Sequence, residues 1–342
     1  MKIVTLLNEN LNDFILHLKT FGEVHAPVKR GDTSCAFARV EKLAEIELGC
    51  LRTILPLKKY FLKPVETMFT YQTKHGYQAP EIKSGKGIVI FGAHACEIHG
   101  LNLLDLAMGG TYPDSYYFER KANTIIIGLD CIPDEHCFCR STGTDYVTSG
   151  FDLALSNVGD CYLVWVESSR GDDIVRAAPG LFNEVTPRIR QRYKDKLKDK
   201  KSLFKTEIDM RDVPDIMDLE YESQIWKELG DRCLGCGICS MVCPTCYCFA
   251  VYDELELDGE SGTRKRRWDS CLFTDYSLVA GDHNFRDTKA ARIKNRYFHK
   301  QHGFMEQYGR TSCVGCGRCR VACPANLDIV EIVNRLKDET HE

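Results

Sequence analysis

The chain has 342 residues, 44% hydrophobic and 27% charged, with a formal net charge of −4. That length suggests two domains, and a near-neutral balance gives no electrostatic case for a nucleic-acid partner. The outlier is cysteine, at 18 residues, a density that means either disulfides or metal.

The N-terminus, MKIVTLLNENLNDF, has neither the apolar stretch nor the small-residue cleavage site of a secretory leader. No apolar run approaches the roughly 20 residues that cross a bilayer. The expectation is a cytoplasmic chain with no membrane partner, its thiols kept reduced for metal. Leu11, Phe14, Ile15 and Leu18 then fall at helical spacing, with Asn8 or Asn10 to cap the start and Gly22 past the end.

Apolar runs at 88–91, 124–127 and 162–166 read as strands. Helical or irregular segments separate them, as in an open, at least partly parallel sheet. Cys96 follows the first run in FGAHACEIHG, Cys131 follows the second in IIIGLDC, and Cys137 and Cys139 come next in DEHCFC. If the two strands are parallel neighbours, these four thiols share the edge where such sheets bind ligands. Four thiols suffice for a [4Fe–4S] cluster; the plainer reading is inert buried thiols or an isolated metal pair. His94, His99 and His136 flank the group, and Glu97 and Asp134 have no partner suggesting acid–base work.

Residues 187–205 are densely basic and read as a solvated helix or loop, with a docking surface for an acidic partner as the sharper alternative. They close a mixed α/β domain over 1–215. From 216 to 342 the pattern is that of a mainly α-helical ferredoxin-type domain, so the fold class is α+β. Ile225, Trp226 and Leu229 mark a helix, and Ile329, Val330, Ile332, Val333 and Leu336 another.

Between these helices lies a repeat, RCLGCGICSMVCP against SCVGCGRCRVACP. Each copy is Cys-x2-Cys-x2-Cys-x3-Cys-Pro, the spacing of two-cluster bacterial ferredoxins, in which the fourth thiolate ligates the other cluster. The sets are then Cys233, Cys236 and Cys239 with Cys323, and Cys313, Cys316 and Cys319 with Cys243. Gly235, Gly237, Gly315 and Gly317 allow tight loops that aim N–H groups at sulfur. Zinc favours separated Cys-x2-Cys pairs and fits poorly. The interval between the copies exceeds that of small ferredoxins, and helices are expected in it around Val279 and over 289–297.

Cys246, Cys248 and Cys271 form another group beside the first copy, either packing against it or supplying a further site. Cys35, Cys50 and Cys161 are scattered and read as core fillers. Arg264, Lys265, Arg266 and Arg267 either offset cluster charge, receive an acidic partner, or form a plain surface loop. His283 and Arg286 read as structural. There is no dinucleotide fingerprint after a strand, no Walker A run, no Cys-x2-Cys-His haem site and no Gly-x-Ser-x-Gly nucleophile. The chain therefore reads as electron wiring without a catalytic centre of its own.

FGAHACEIHGLNLLD, GLDCIPDEHCFC, GFDLAL, RCLGCGICSMVCPTCYCF, RKRRWDSC, LVAGDHNFR and SCVGCGRCRVACPAN together span nearly the whole chain. In these segments the sequence resembles the beta subunits of cytoplasmic nickel–iron sulfhydrogenases, the NADP-linked hydrogenases of anaerobes. It is similar, more distantly, to the electron-relay subunit of anaerobic sulfite reductase. The resemblance implies an iron–sulfur relay between a subunit that binds FAD and NAD(P) and a catalytic redox subunit of hydrogenase type. The competing readings are the equivalent relay of a sulfite reductase or heterodisulfide-reductase-linked assembly, and a zinc-bound scaffold. The resemblance also carries over Cys96, Cys131, Cys137 and Cys139 as a third-cluster site. Glu97 stands where the family pattern has aspartate, which keeps the charge.

Overall fold

The apolar runs of the N-terminal half become the middle of an eight-stranded sheet in the computed structural model, which describes residues 2–79 and 87–339. The sheet order is Phe182–Asn183, Lys2–Leu7, Cys161–Val166, Leu153–Asn157, Thr124–Leu129, Ile88–Ala93, Glu23–Arg30, Ser34–Arg39. The four strands from Leu153–Asn157 to Glu23–Arg30 are mutually parallel, and the margins on both sides are antiparallel. All of Thr124–Leu129 is buried, as expected of a parallel strand covered on both faces, and this explains its unbroken apolar run.

The helix Leu11–Leu18 lays Leu11, Phe14, Ile15 and Leu18 into this core. Phe14 meets Phe91 and Phe182 edge-on at centroid distances of 6.5 and 5.7 Å. Burying four such side chains contributes about 1.5–3 kcal/mol each before ordering costs are subtracted. Just beyond the helix, a Cβ on Gly22 would stand 2.1 Å from the Gly87 carbonyl oxygen, so this close approach of two backbones admits glycine alone.

The chain forms two compact units. The first comprises Met1–Leu57, Ser84–Glu207 and the short stretch Val314–Cys316; the second comprises Lys58–Lys83, Ile208–Cys313 and Gly317–Glu342. Helices Val213–Leu219, Ile225–Arg232, Lys289–Tyr297 and Ile329–Glu339 dominate the second, with Lys289–Tyr297 running on through a π-helical turn into Phe304–Tyr308. The fold class is α+β, a mixed α/β N-terminal region followed by a helical, cysteine-bearing one.

Two local expectations change. Around Val279 there is no helix but a two-residue strand, Leu278–Val279, paired with His283–Asn284. Gly281 and Asp282 take positive φ (86° and 58°) and turn the chain back on itself. Arg264, Lys265, Arg266 and Arg267 are not a loop but part of the strand Ser261–Trp268, which pairs with Phe249–Leu255 on one side and Val65–Gln72 on the other.

Candidate metal centres

In the first unit, two consecutive strand–turn connections deliver thiols to one edge. The strand Ile88–Ala93 gives way at once to the helix Ala95–Met108, whose first turn carries Cys96. Its parallel neighbour Thr124–Leu129 leads into Asp130 and Cys131. Asp134 then shapes the next bend: its Oδ1 accepts from the His136 and Cys137 N–H groups at 3.0 and 3.1 Å, a local turn device of aspartate. The Phe138 N–H donates to the Gly315 carbonyl at 2.8 Å, and the Thr144 hydroxyl to the Val314 carbonyl at 2.8 Å. These bonds hold Val314–Cys316 against the bend that carries Cys137 and Cys139.

The four thiols lie within one another's electrostatic reach. Burial raises the Cys96 thiol well above its ordinary value, reinforced by Cys316, Cys139 and Cys131. Burial raises Cys131 to about 11. Cys139 is raised too, by burial and then by Cys131 and Cys137. Thiols that resist ionising alone need cations to become thiolates. Two buried or half-buried cations are present. Arg52 forks onto the Asp134 carboxylate at 2.5 and 2.6 Å, places Nη2 3.0 Å from Cys137 Sγ, and donates Nε to the Cys316 carbonyl at 2.9 Å. Burial opposes it, but the Arg52 hydrogen bonds and charge hold Asp134 well below the carboxylate range. Lys200, from the basic helix Pro187–Ser202, reaches Asp130 and the Asp145 carbonyl; against the burial penalty, Cys131 and Asp130 push its ammonium upward. His94 bonds the Leu129 and Cys50 carbonyls at 2.9 Å each, so both ring nitrogens are engaged elsewhere.

In the second unit the two copies of the repeat share one backbone form. Gly235 and Gly237 have φ of 69° and 70°; Gly315 and Gly317, 58° and 70°. A one-turn helix follows each pair, Ile238–Met241 carrying Cys239 and Arg318–Val321 carrying Cys319. The Gly235 N–H points at Cys233 Sγ at 3.3 Å, and the Leu327 N–H at Cys323 Sγ at 3.3 Å. Burial raises Cys239, whose neighbours in order of effect are Arg296, Cys233, Cys323 and Cys243. Cys323 of the second copy thus stands in the field of Cys239 of the first. Of the remaining repeat cysteines, Cys236 is exposed, Cys313 and Cys319 are half-buried, and Cys316 belongs with the first unit.

Three buried cations attend these thiols. Arg296 donates to the Cys239 carbonyl at 3.0 Å, the Ser240 hydroxyl at 3.1 Å and Cys246 Sγ at 3.5 Å. Lys300 donates to the Thr245 hydroxyl at 2.7 Å, and that hydroxyl lies 3.2 Å from Cys243 Sγ. Lys58 donates to the Ser240 and Cys246 carbonyls at 3.1 and 2.7 Å and covers the Trp268 ring at 4.3 Å. A hydrogen bond from Cys246 pulls Cys243 down against burial, with Lys300, Arg296 and Lys58 assisting.

The cations singled out in the sequence do something else. Arg264 pairs with Asp253, Lys265 with Glu254, and Arg266 with buried Glu66. Sequence reasoning misses Arg296 and Lys300, although Arg292, Arg296 and Lys300 recur every fourth residue, on one helix face. Arg286 bonds the Ser277 hydroxyl at 2.9 Å, and the His283 ring packs on Phe285, both structural contacts.

The donor chemistry fits iron–sulfur clusters: several clustered thiols, N–H groups aimed at sulfur, and buried positive charge against an anionic group. Among the described residues, no three His, Cys, Asp or Glu side chains gather as ligands of one metal ion; a four-iron cube, with its thiolates at separate corners, does not require them to. Among the same residues, no helix is long and apolar enough to cross a membrane.

Residues 232–327 match the 4Fe-4S dicluster domain family. Over 338 residues, 99% of each chain, the sequence is 38% identical to sulfhydrogenase 2 subunit beta of Pyrococcus furiosus. No solved structure matches it.

Proposed function

We infer the function from one premise, that the chain belongs to the sulfhydrogenase beta-subunit family. It is an iron–sulfur subunit of an oxidoreductase complex, with a dicluster domain that implies two [4Fe–4S] clusters. Our finer reading is a cytoplasmic electron relay. It passes electrons between a subunit that binds FAD and NAD(P) and a catalytic subunit of nickel–iron hydrogenase type, and carries no catalytic centre itself. The full-length likeness to a sulfhydrogenase subunit favours this over the sulfite reductase and heterodisulfide-linked readings, and the dicluster match speaks against a zinc scaffold.

In this reading Cys233, Cys236, Cys239 and Cys323 hold one cluster, and Cys313, Cys316, Cys319 and Cys243 the other. Cys96, Cys131, Cys137 and Cys139 hold a third. Such clusters supply one-electron transfer, at potentials set by hydrogen bonds, charge and burial. The chain's own groups do the tuning. N–H groups such as that of Gly235 stabilise charge on sulfur, and Arg296, Lys300 and Lys58 in one unit, Arg52 and Lys200 in the other, offset it. A site that keeps thiolates beside fixed cations favours the more negative, reduced state.

The observation that carries the reading is the position of Cys323 in the field of Cys239, which supports the exchange of one ligand between the two copies. The test is co-purification from anaerobic cells, followed by reduction with NADPH or with hydrogen. The relay reading expects the cluster absorbance to bleach with either donor in the intact complex and with neither in the isolated subunit. Bleaching of the isolated subunit by NADPH would place flavin or nucleotide chemistry on this chain and overturn it.

A further inference from the structure

Three cysteines outside the repeat are brought together by a hairpin. Cys248 directly precedes the strand Phe249–Leu255, and Cys271 follows the strand Ser261–Trp268. Phe249 pairs with Trp268, so the hairpin's open end sets these flanking segments side by side, fixed by the Asp269 N–H bonding the Cys248 carbonyl at 2.9 Å. The Cys248 and Cys271 side chains hydrogen-bond to one another, and Cys246 lies in the field of Cys271. Buried Arg296 donates Nη1 toward Cys246 Sγ at 3.5 Å, and Lys58 holds the Cys246 carbonyl. A cavity of about 400 Å³ opens beside the group, lined among others by Cys248, Cys271, Tyr276 and His299.

We propose that Cys246, Cys248 and Cys271 hold a further iron–sulfur cluster, separate from those of the twin loops and of the first unit, completed by a donor on the cavity side such as Tyr276 or His299. Three observations point this way. The thiols come from two segments that the hairpin joins, which mere core filling does not require. The cavity is far larger than a single ion needs and accommodates a group of several atoms. The flanking Arg296 and Lys58 suit an anionic, thiolate-ligated group.

The test uses the anaerobically purified full chain with Cys248→Ser and Cys271→Ser. Each variant is expected to lose about four irons per chain while the reduced cubane signals of the other clusters persist. Unchanged iron in both variants overturns the proposal and leaves the twin-loop reading intact. If a variant does not fold, the unaltered chain decides by differential alkylation read by mass spectrometry. Cys246, Cys248 and Cys271 should resist iodoacetamide while iron is bound and react once a chelator and oxidant have removed it and reductant has been restored. Equal reactivity before and after iron removal, or a Cys248–Cys271 disulfide in the iron-loaded protein, overturns it.

Discussion

The thiols of the twin loops and those of the first unit are brought together in opposite ways. In the twin loops, spacing along a dozen residues and two positive-φ glycines per copy do nearly all the positioning. In the first unit, Cys96, Cys131, Cys137 and Cys139 have no common spacing; the parallel pairing of Ile88–Ala93 with Thr124–Leu129 brings their loops to one edge. The counter-charge differs likewise. Arg296 and Lys300 come from one continuous helical stretch, whereas Arg52 and Lys200 come from unrelated segments. A local motif announces itself in sequence, while a topological site needs the sheet order before it can be recognised.

The harshest test of this contrast removes one ligand from each kind of site. Cys323→Ser should damage the cluster of the first copy, Cys233, Cys236 and Cys239, although it belongs to the second, with loss of about four irons. Electron paramagnetic resonance that resolves the two clusters checks this, and damage confined to the second copy's cluster breaks the account. Cys131→Ser should cost about four irons as well while leaving both twin-loop signals unchanged. Iron content that does not move would remove the third cluster and leave the first unit as a plain α/β scaffold.

The next effect is on stability. Arg266 and Glu66 are both buried and paired across the sheet of the second unit. Arg266→Met strands the carboxylate and should cost about 3–5 kcal/mol; the Arg266→Met, Glu66→Leu double variant should recover most of it. Denaturant unfolding of the two proteins reads the difference, and equal losses would show that the pair acts only through packing.

The smallest effect is on potential. Arg296→Gln removes a buried cation near the twin-loop thiols and should lower the reduction potential there, because the reduced cluster carries more negative charge. Lys200→Gln should do the same for the first-unit group alone. Spectroelectrochemical titration checks both, and a shift in the wrong group would mean the cations do not serve the thiols beside them.

Much of the fold and less of the sites was legible in the sequence. The runs at 88–91, 124–127 and 162–166 become strands because a sheet covered on both faces demands unbroken apolar residues. The helices Leu11–Leu18, Ile225–Arg232 and Ile329–Glu339 follow from their periodicity. The hairpin from Phe249 to Trp268 was hidden, since only one side of each strand is partly covered and charged residues fill the rest. Its partner Val65–Gln72 lies far away in sequence, and nothing local reports such a pairing. The pairing of Arg52 with Asp134 is equally tertiary: each residue alone is an ordinary surface charge, and only the fold makes them a fork beside Cys137.

The most direct measurement is iron and acid-labile sulfide per chain on oxygen-free protein, joined to electron paramagnetic resonance after reduction. The account predicts a brown protein with at least about eight of each and cubane signals from interacting clusters. A colourless chain, or zinc in the place of iron, would contradict it.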